Sequence, residues 1–138
     1  MGDALTNSQR ERIIDQKSEV TGRISDTCRV IGFGLLVFYF TVHFNDSAAA
    51  ARLKTGNNWS LFIIGALGVL TIFMDYLQYL FGSRAAHAAL KNENHLYNDK
   101  SLAYRARNFF FSGKQATAGL GSLVLIYVMG VSAGLGPS

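Results

Sequence analysis

Residues 61–81 read LFIIGALGVLTIFMDYLQYLF, a run of 21 residues whose only charged side chain is Asp75. A helix of about 20 apolar residues is long enough to cross the ~30 Å hydrocarbon layer of a bilayer. The run therefore predicts a membrane-spanning helix. The carboxylate within it needs an explanation, because an ionisable group inside a membrane helix costs about 2.5–3.5 kcal/mol on insertion scales.

Two further hydrophobic runs lie on either side of this one. Residues 109–135 form a run of 27 residues with one charge, Lys114, and residues 30–44 form a shorter run of 15. Fifteen helical residues extend only about 22 Å, which is short for a bilayer. We expect this run to lengthen through the polar residues 45–51, so that the first span covers residues 29–50.

These runs predict an all-α integral membrane protein with three transmembrane helices. At 138 residues the chain has the length of one domain, so we expect a single membrane domain over residues 1–138. Its expected segments are a cytoplasmic amphipathic helix at 6–28, a first span at 29–50, a second span at 59–82, a cytoplasmic loop at 83–108 and a third span at 109–135.

The two predicted cytoplasmic segments have helical features of their own. In residues 6–28, the apolar residues Ile13, Val20 and Ile24 recur at helical spacing and form a narrow stripe. Such a helix could lie along the inner headgroups, pack on the loop or on another copy, or remain solvated. The loop 83–108 is expected to be partly helical, with turn-forming residues in its middle.

Basic residues are distributed unevenly along the chain. Five precede the first hydrophobic run, 30–44, and five lie in the loop 83–108, whereas the first loop holds two and the segment after the third span holds none. The positive-inside rule therefore places the N-terminus and the loop 83–108 in the cytoplasm, and the C-terminus outside. This placement accounts for the net charge of +4, so we expect no nucleic-acid partner. We expect the location to be the inner membrane of a bacterium.

Small and polar residues follow one face of the second span at spacings of three and four, which places them together on a helix. They are Gly68, Thr71, Asp75, Gln78 and Gly82. A similar stripe on the third span consists of Lys114, Thr117 and Gly121, with Gly113 beside it. We call Thr71, Gln78, Thr117 and the neighbouring Tyr79 the polar seam.

The glycines predict close contact between helices, because small residues let helix backbones approach each other. Gly130 and Gly134 add a GxxxG-type pair near the outer end of the third span. The contact could be within the chain, between copies, or both.

Asp75 and Lys114 fall at similar depth in their spans, which predicts an intramembrane charge pair. In the leading interpretation this pair is structural, is supported by Gln78 and Tyr79, and fixes the register of the second and third spans. In one alternative Lys114 extends to the inner headgroups. In another, Asp75 belongs to a proton or ion relay or lines a pore.

The histidines do not predict a metal or haem site. His43 lies toward the outer end of the first span, whereas His87 and His95 lie in the loop on the other side of the membrane. The sequence also contains no nucleophile elbow, phosphate-binding loop or HExxH motif. We therefore expect no cofactor, no metal and no enzymatic activity.

The polar and small faces offer more interhelical surface than a three-helix monomer would bury. We therefore expect the partners to be the lipid bilayer and either further copies of the chain, other membrane subunits, or both. The leading hypothesis is a non-catalytic membrane subunit that assembles through these faces as an accessory or scaffolding component of a complex. The alternative is a homo-oligomeric pore, channel or membrane-permeabilising effector in which Asp75 lines a polar path.

Overall fold

The computed structural model describes residues 7–91 and 101–134, and all of its regular structure is helical. In chain order the helices are α1 (Asn7–Phe44), α2 (Ala48–Lys54), α3 (Asn58–Lys91) and α4 (Leu102–Ser132). No strand occurs in these two ranges, so the all-α prediction is confirmed for them. The two ends of the predicted single domain and the expected turns in the middle of the loop 83–108 lie outside the described residues.

Three of the four helices are long and apolar enough to cross a bilayer, as predicted. The candidate spans are Ser18–Phe44, Asn58–Leu90 and Leu102–Ser132, with 27, 33 and 31 residues respectively. At a rise of about 1.5 Å per residue, even the shortest extends about 40 Å, which exceeds the ~30 Å hydrocarbon core.

The first long helix does not follow the predicted range of 29–50. α1 ends at Phe44, and the chain turns there, with Asn45 Oδ1 accepting a hydrogen bond from the backbone N–H of Ser47 at 2.8 Å. The Ser47 hydroxyl then caps α2 by accepting from the Ala50 N–H at 3.3 Å. Polar side chains that bond to nearby backbone favour turns and helix caps, so they end the span rather than extend it.

The span gains its length at the other end instead. The predicted N-terminal helix and the first span form one continuous helix, and residues 23–31 contain neither glycine nor proline to break it. Ile13 and Val20 of the predicted apolar stripe are 52 % and 50 % exposed. These two residues of the stripe are therefore not packed against the described part of the chain, whereas Ile24 is partly buried.

The other two long helices extend into the predicted loop 83–108 from both sides. α3 continues the second span to Lys91, and α4 begins at Leu102, seven residues before the predicted start of the third span. The Ser101 hydroxyl caps α4 by accepting from the Tyr104 N–H at 3.2 Å. Residues 92–100, between Lys91 and Ser101, lie outside the described part of the chain.

α3 packs against both α1 and α4, and α4 also contacts α1. Toward the Trp59 end of the bundle these three helices share an apolar core made of Leu35, Val42, Leu61, Ile64 and Val128. Toward the end where α3 and α4 approach their connecting loop, Phe81 and Phe110 stack with ring centroids 5.6 Å apart. Polar residues of the three helices lie between these two apolar layers.

Close approach of the helices depends on glycine at three predicted positions. A Cβ on Gly68 would lie 3.0 Å from a backbone oxygen of α1 and 3.2 Å from the Cβ of Leu35. A Cβ on Gly121 would overlap the Leu35 side chain, and one on Gly113 would overlap a methionine of α3. Gly68 therefore allows α3 to pack closely against α1, Gly121 allows α4 to pack closely against α1, and Gly113 allows α4 to pack closely against α3.

The remaining predicted packing glycines behave differently. A Cβ on Gly82 would lie 3.6 Å from Arg107 Cδ, which is ordinary van der Waals contact. Gly130 has no neighbouring atom within 4 Å, and Gly134 follows the end of α4 with a φ of +83°. The expected GxxxG contact of Gly130 and Gly134 is thus not formed within the described chain, because the helix ends at Ser132.

We expect Gly68→Ala to lower the free energy of unfolding by about 1–3 kcal/mol, because its Cβ would force α1 and α3 apart. Gly119→Ala is the matched control, since no atom lies within 4 Å of a Cβ there. Alanine favours a helix over glycine by about 1 kcal/mol, so the control should be neutral or stabilising. Equilibrium unfolding in mixed micelles of increasing SDS content measures both, and equal losses would contradict the packing role of Gly68.

Candidate functional site

Four side chains from the three long helices meet in the middle of the bundle. They are Ser25 and Arg29 of α1, Asp75 of α3 and Lys114 of α4, and we call them the charge cluster. The Lys114 side chain is fully buried, and the Asp75 side chain is 6 % exposed. Such burial requires that the charges satisfy one another, because an unpaired charge in an apolar interior is strongly destabilising.

Ser25 completes the contact between the two buried charges. The Lys114 ammonium donates hydrogen bonds to Asp75 Oδ1 and to the Ser25 hydroxyl. That hydroxyl in turn donates to Asp75 Oδ1, at 3.0 Å. A hydroxyl can accept one bond while donating its single proton to another, so all three contacts can exist together.

Arg29 occupies the second oxygen of the carboxylate. Its Nε donates to Asp75 Oδ2 at 3.0 Å, and its Nη2 donates to the Tyr79 hydroxyl at 3.1 Å. Its Nη1 lies 3.4 Å from an oxygen of Asp26, a residue near the surface. The Arg29 side chain is 39 % exposed, so it links the buried carboxylate to the outside of the bundle.

The charge cluster contains more positive than negative charge. One carboxylate, Asp75, faces two cations, Arg29 and Lys114, so the formal sum is +1. The Lys114 ammonium also lies 5.4 Å from the ring centroid of Phe111 and 6.0 Å from that of Tyr79. The negative faces of aromatic rings stabilise a nearby cation, by about 2 kcal/mol or more when it is desolvated. These rings therefore help to accommodate the buried ammonium.

One helical turn from the cluster, two hydroxyls of the polar seam join α3 and α4. Thr71 Oγ1 lies 2.8 Å from Thr117 Oγ1 and 2.7 Å from the Leu67 carbonyl oxygen. Thr117 Oγ1 lies 3.1 Å from the Lys114 carbonyl oxygen. The two hydroxyls have one proton each, so only two of these three hydrogen bonds form at a time. One hydroxyl donates to the other, and the remaining proton goes to a backbone carbonyl oxygen.

The structure thus brings together most of the residues singled out in the sequence. Asp75 contacts Lys114 directly, Thr71 contacts Thr117, and Tyr79 joins the cluster through Arg29. Lys114 does not extend to the surface, because its side chain is enclosed. Gln78 is the exception: it is buried at 9 % exposure, but its Oε1 has no hydrogen-bond partner in the described part of the chain.

The sequence interpretation missed Ser25 and Arg29. Arg29 was counted only as one of the basic residues that set orientation, and Ser25 carried no role. The available signal was their spacing of four residues, which places both on one face of a helix. That signal is weak, because polar residues occupy every face of α1 before Arg29.

Within residues 7–91 and 101–134, no group of three or more His, Cys, Asp or Glu side chains is placed to hold a metal ion. His43 instead lies beside Tyr39, with ring centroids 5.5 Å apart. Cys28 is buried as a free thiol, one turn after Ser25 and directly before Arg29 in the sequence. The chemistry of the charge cluster is that of a saturated salt bridge joining three helices.

We expect Asp75→Asn to be more destabilising than Lys114→Met, by about 2 kcal/mol or more. The first leaves the buried Lys114 without a counter-charge and Arg29 with only its long, exposed pair to Asp26, and removing one partner of a buried pair costs about 3–5 kcal/mol. The second leaves Asp75 bonded to Arg29 and Ser25. Unfolding in mixed SDS micelles measures both variants and the double variant, which should be more stable than Asp75→Asn alone.

Asp26→Asn is the matched control, because the Asp26 side chain is 70 % exposed and its pair with Arg29 is long. A solvent-exposed pair contributes about 1 kcal/mol at most, so the control should stay near wild type. Exchanging the charges of Asp75 and Lys114 is a poorer test, since a lysine at position 75 would face Arg29. A larger loss in Lys114→Met than in Asp75→Asn would contradict the central role of the carboxylate.

Comparisons with known proteins identify no relative of this chain. No protein-family model, no curated protein and no solved structure matches it. We therefore infer its function from the chain's own residues and their contacts.

Proposed function

We propose that this protein is a non-catalytic integral membrane subunit that assembles through its helix faces as an accessory or scaffolding component of a membrane complex. The observation that supports this proposal is that the buried charges of the charge cluster are paired with one another. Asp75 and Lys114 are enclosed and satisfied by other residues of the chain. A carboxylate in that state stabilises helix packing and is poorly placed to exchange protons or ions with water.

The outward faces of the helices support the membrane location. Only 22 % to 33 % of the residues in the most apolar windows of the three candidate spans are buried inside the chain. Large apolar side chains such as Val37, Leu123 and Ile126 are more than 60 % exposed. Contiguous apolar surface of this extent is unfavourable in water and favourable against lipid.

The proposed orientation has the N-terminus in the cytoplasm and the C-terminus outside, in the inner membrane of a bacterium. It is supported by the positive-inside pattern, with five basic residues before the hydrophobic run 30–44 and five in 83–108. Exposed aromatic side chains also lie near the expected boundaries, with Trp59 at one end of α3 and Phe109 near the start of α4. Aromatic residues favour the interface between hydrocarbon and headgroups.

The small residues that remain open support assembly with other membrane helices. Gly34 of α1, together with Gly119 and Gly130 of α4, has no atom of this chain within 4 Å of a Cβ position. Such positions on a lipid-facing helix allow close approach of a second backbone. They differ from Gly68 and Gly121, whose space is filled by the chain's own helices.

The pore alternative has less support from the geometry. It requires Thr71, Asp75 and Gln78 to face water, yet all three are buried between helices. Among the buried side chains of residues 7–91 and 101–134, only Gln78 has a polar atom without a hydrogen-bond partner, and a single such atom does not form a continuous polar path. A pore formed by several copies would therefore need to be lined by a different face of the helices, one that does not contain these three residues.

Native mass spectrometry of the protein released gently from its own membrane tests the assembly proposal. We expect defined foreign subunits beside this chain, and we expect Gly119→Leu to reduce their recovery at least about tenfold by blocking close helix approach. Gly22→Leu is the matched control, since Gly22 is equally open within the chain but lies in the polar part of α1, before the hydrophobic run 30–44. Copies of this chain alone in one fixed stoichiometry would favour the pore, and a monomer without partners would contradict both.

Cysteine labelling tests the orientation. In a Cys28→Ala background, a membrane-impermeant maleimide applied to intact cells should label Ser47→Cys and leave His87→Cys unlabelled until the cells are lysed. Both positions are exposed, so accessibility differs only through the membrane. Labelling of His87→Cys alone would reverse the proposed orientation, and immediate labelling of both would contradict the membrane location.

A further inference from the structure

A groove between α1 and α3 changes from polar to apolar along its length. Its polar part, near the Trp59 end of α3, has a volume of about 350 Å³, and its apolar part has a volume of about 190 Å³. Tyr39 and Phe62 line both parts, so the two are continuous. We call it the α1–α3 groove; its polar part is also lined by His43, Lys54 and Asn58, and its apolar part by Leu36, Ala66 and Val69.

The polar part of the groove contains a cation. The Lys54 ammonium donates to the Asn45 carbonyl oxygen at 3.1 Å, which holds it beside the end of α1. An ammonium has three N–H donors, so two remain for another acceptor. No described carboxylate forms an ion pair with Lys54. His43 and Asn58 line the same part and each offer a further N–H donor, so this end of the groove is suited to an anion.

The apolar part of the groove is open toward the surface of the bundle. A Cβ on Gly65 would lie 2.9 Å from the Tyr39 ring, so this glycine lets the ring lie against the α3 backbone. The side chains of Phe40, Phe62 and Val69 are each at least half exposed. In a membrane, a hydrocarbon chain can therefore enter this part of the groove from the side.

The length of the groove matches the depth of one leaflet. Asn58, in the polar part, directly precedes Trp59, which is 80 % exposed and favours the membrane interface. Val69, in the apolar part, follows Asn58 by 11 residues, which is about 16 Å along the helix. Half of the ~30 Å hydrocarbon layer is about 15 Å. The groove thus extends from the level of the headgroups to the middle of the bilayer, the depth that one acyl chain occupies.

We propose that the α1–α3 groove binds one phospholipid of net negative charge, such as phosphatidylglycerol. Lys54 and Asn58 bind its phosphate, and one acyl chain lies along the apolar part. Every phospholipid has an acyl chain for that part, so the headgroup decides the preference. Phosphatidylcholine also carries an ammonium group, and none of the described lining residues offers it a carboxylate. The inference rests on the proposed membrane location.

The test compares palmitoyl-oleoyl phosphatidylglycerol with palmitoyl-oleoyl phosphatidylcholine, which have the same acyl chains. Each lipid is titrated into the purified protein in a non-ionic detergent, and native mass spectrometry counts the bound lipid. We expect wild type to retain phosphatidylglycerol about fivefold more tightly, as one partly exposed charge pair implies. Lys54→Gln should bring this ratio close to one, whereas Lys54→Arg keeps the charge and should preserve the ratio.

Arg52→Gln is the matched control for the charge, since Arg52 is exposed on the same short helix and does not line the groove. It should keep the preference of wild type. Equal losses of the preference in Lys54→Gln and Arg52→Gln would indicate general attraction to basic residues and would overturn the proposal.

Ala66→Leu tests the acyl-chain part, because the larger side chain would fill it. We expect this variant to weaken both lipids by about threefold, since the acyl chain would lose several dispersion contacts. Ala116→Leu is the matched control, because Ala116 is equally exposed on a long helix but lies on α4, outside the groove. Equal effects of the two substitutions would contradict an acyl chain in the groove.

Three further outcomes would overturn the proposal. The first is equal retention of the two lipids by wild type. The second is displacement of phosphatidylglycerol by an equal concentration of its soluble deacylated form, glycerophosphoglycerol, which would exclude a role for the acyl chain. The third is loss of a foreign membrane subunit in Ala66→Leu without any lipid preference in wild type, which would assign the groove to a partner helix.

Alkaline carbonate extraction separates this inference from the proposed function. Release of the protein from membranes would contradict the membrane location on which both depend. Retained protein without lipid preference would refute the lipid site alone and leave the assembly proposal in place.

Discussion

The carboxylate of Asp75 joins the three long helices of this chain. One oxygen accepts from Lys114 of α4 and Ser25 of α1, and the other accepts from Arg29 of α1. In an environment of low dielectric constant, a charge without these partners is strongly destabilising, so the contacts must form together. They can do so only when α1, α3 and α4 share one register. The charges and the helix packing therefore depend on each other.

The rest of the bundle is arranged around this constraint. On the side toward Trp59, the hydroxyl pair of Thr71 and Thr117 and an apolar core close the interior, and Gly68 permits the close approach of α1 to α3. On the other side, the buried Gln78 Oε1 has no hydrogen-bond partner among the described residues.

The sequence predicted the number and helical nature of the spans because both depend on local composition over about 20 residues. It also placed Asp75 opposite Lys114, since depth follows from counting residues along two helices. The end of the first span was predicted wrongly. Hydrophobic content alone did not reveal that Asn45 and Ser47 bond to neighbouring backbone and turn the chain. The sequence did not predict the roles of Ser25 and Arg29, because a polar segment of helix gives no indication of which face packs inward.

By itself, the sequence determined that the chain is all-helical and that its charges fall at matching depth in long apolar helices. Both properties follow from residue type and spacing along the chain. Only the tertiary structure decided that Asp75 has partners on two other helices and that Arg29 is one of these partners. It also decided that Gln78 Oε1 has no hydrogen-bond partner among the described residues. Those outcomes depend on how each helix is rotated about its own axis. That rotation is set by packing among all three helices at once, and no single stretch of sequence specifies it.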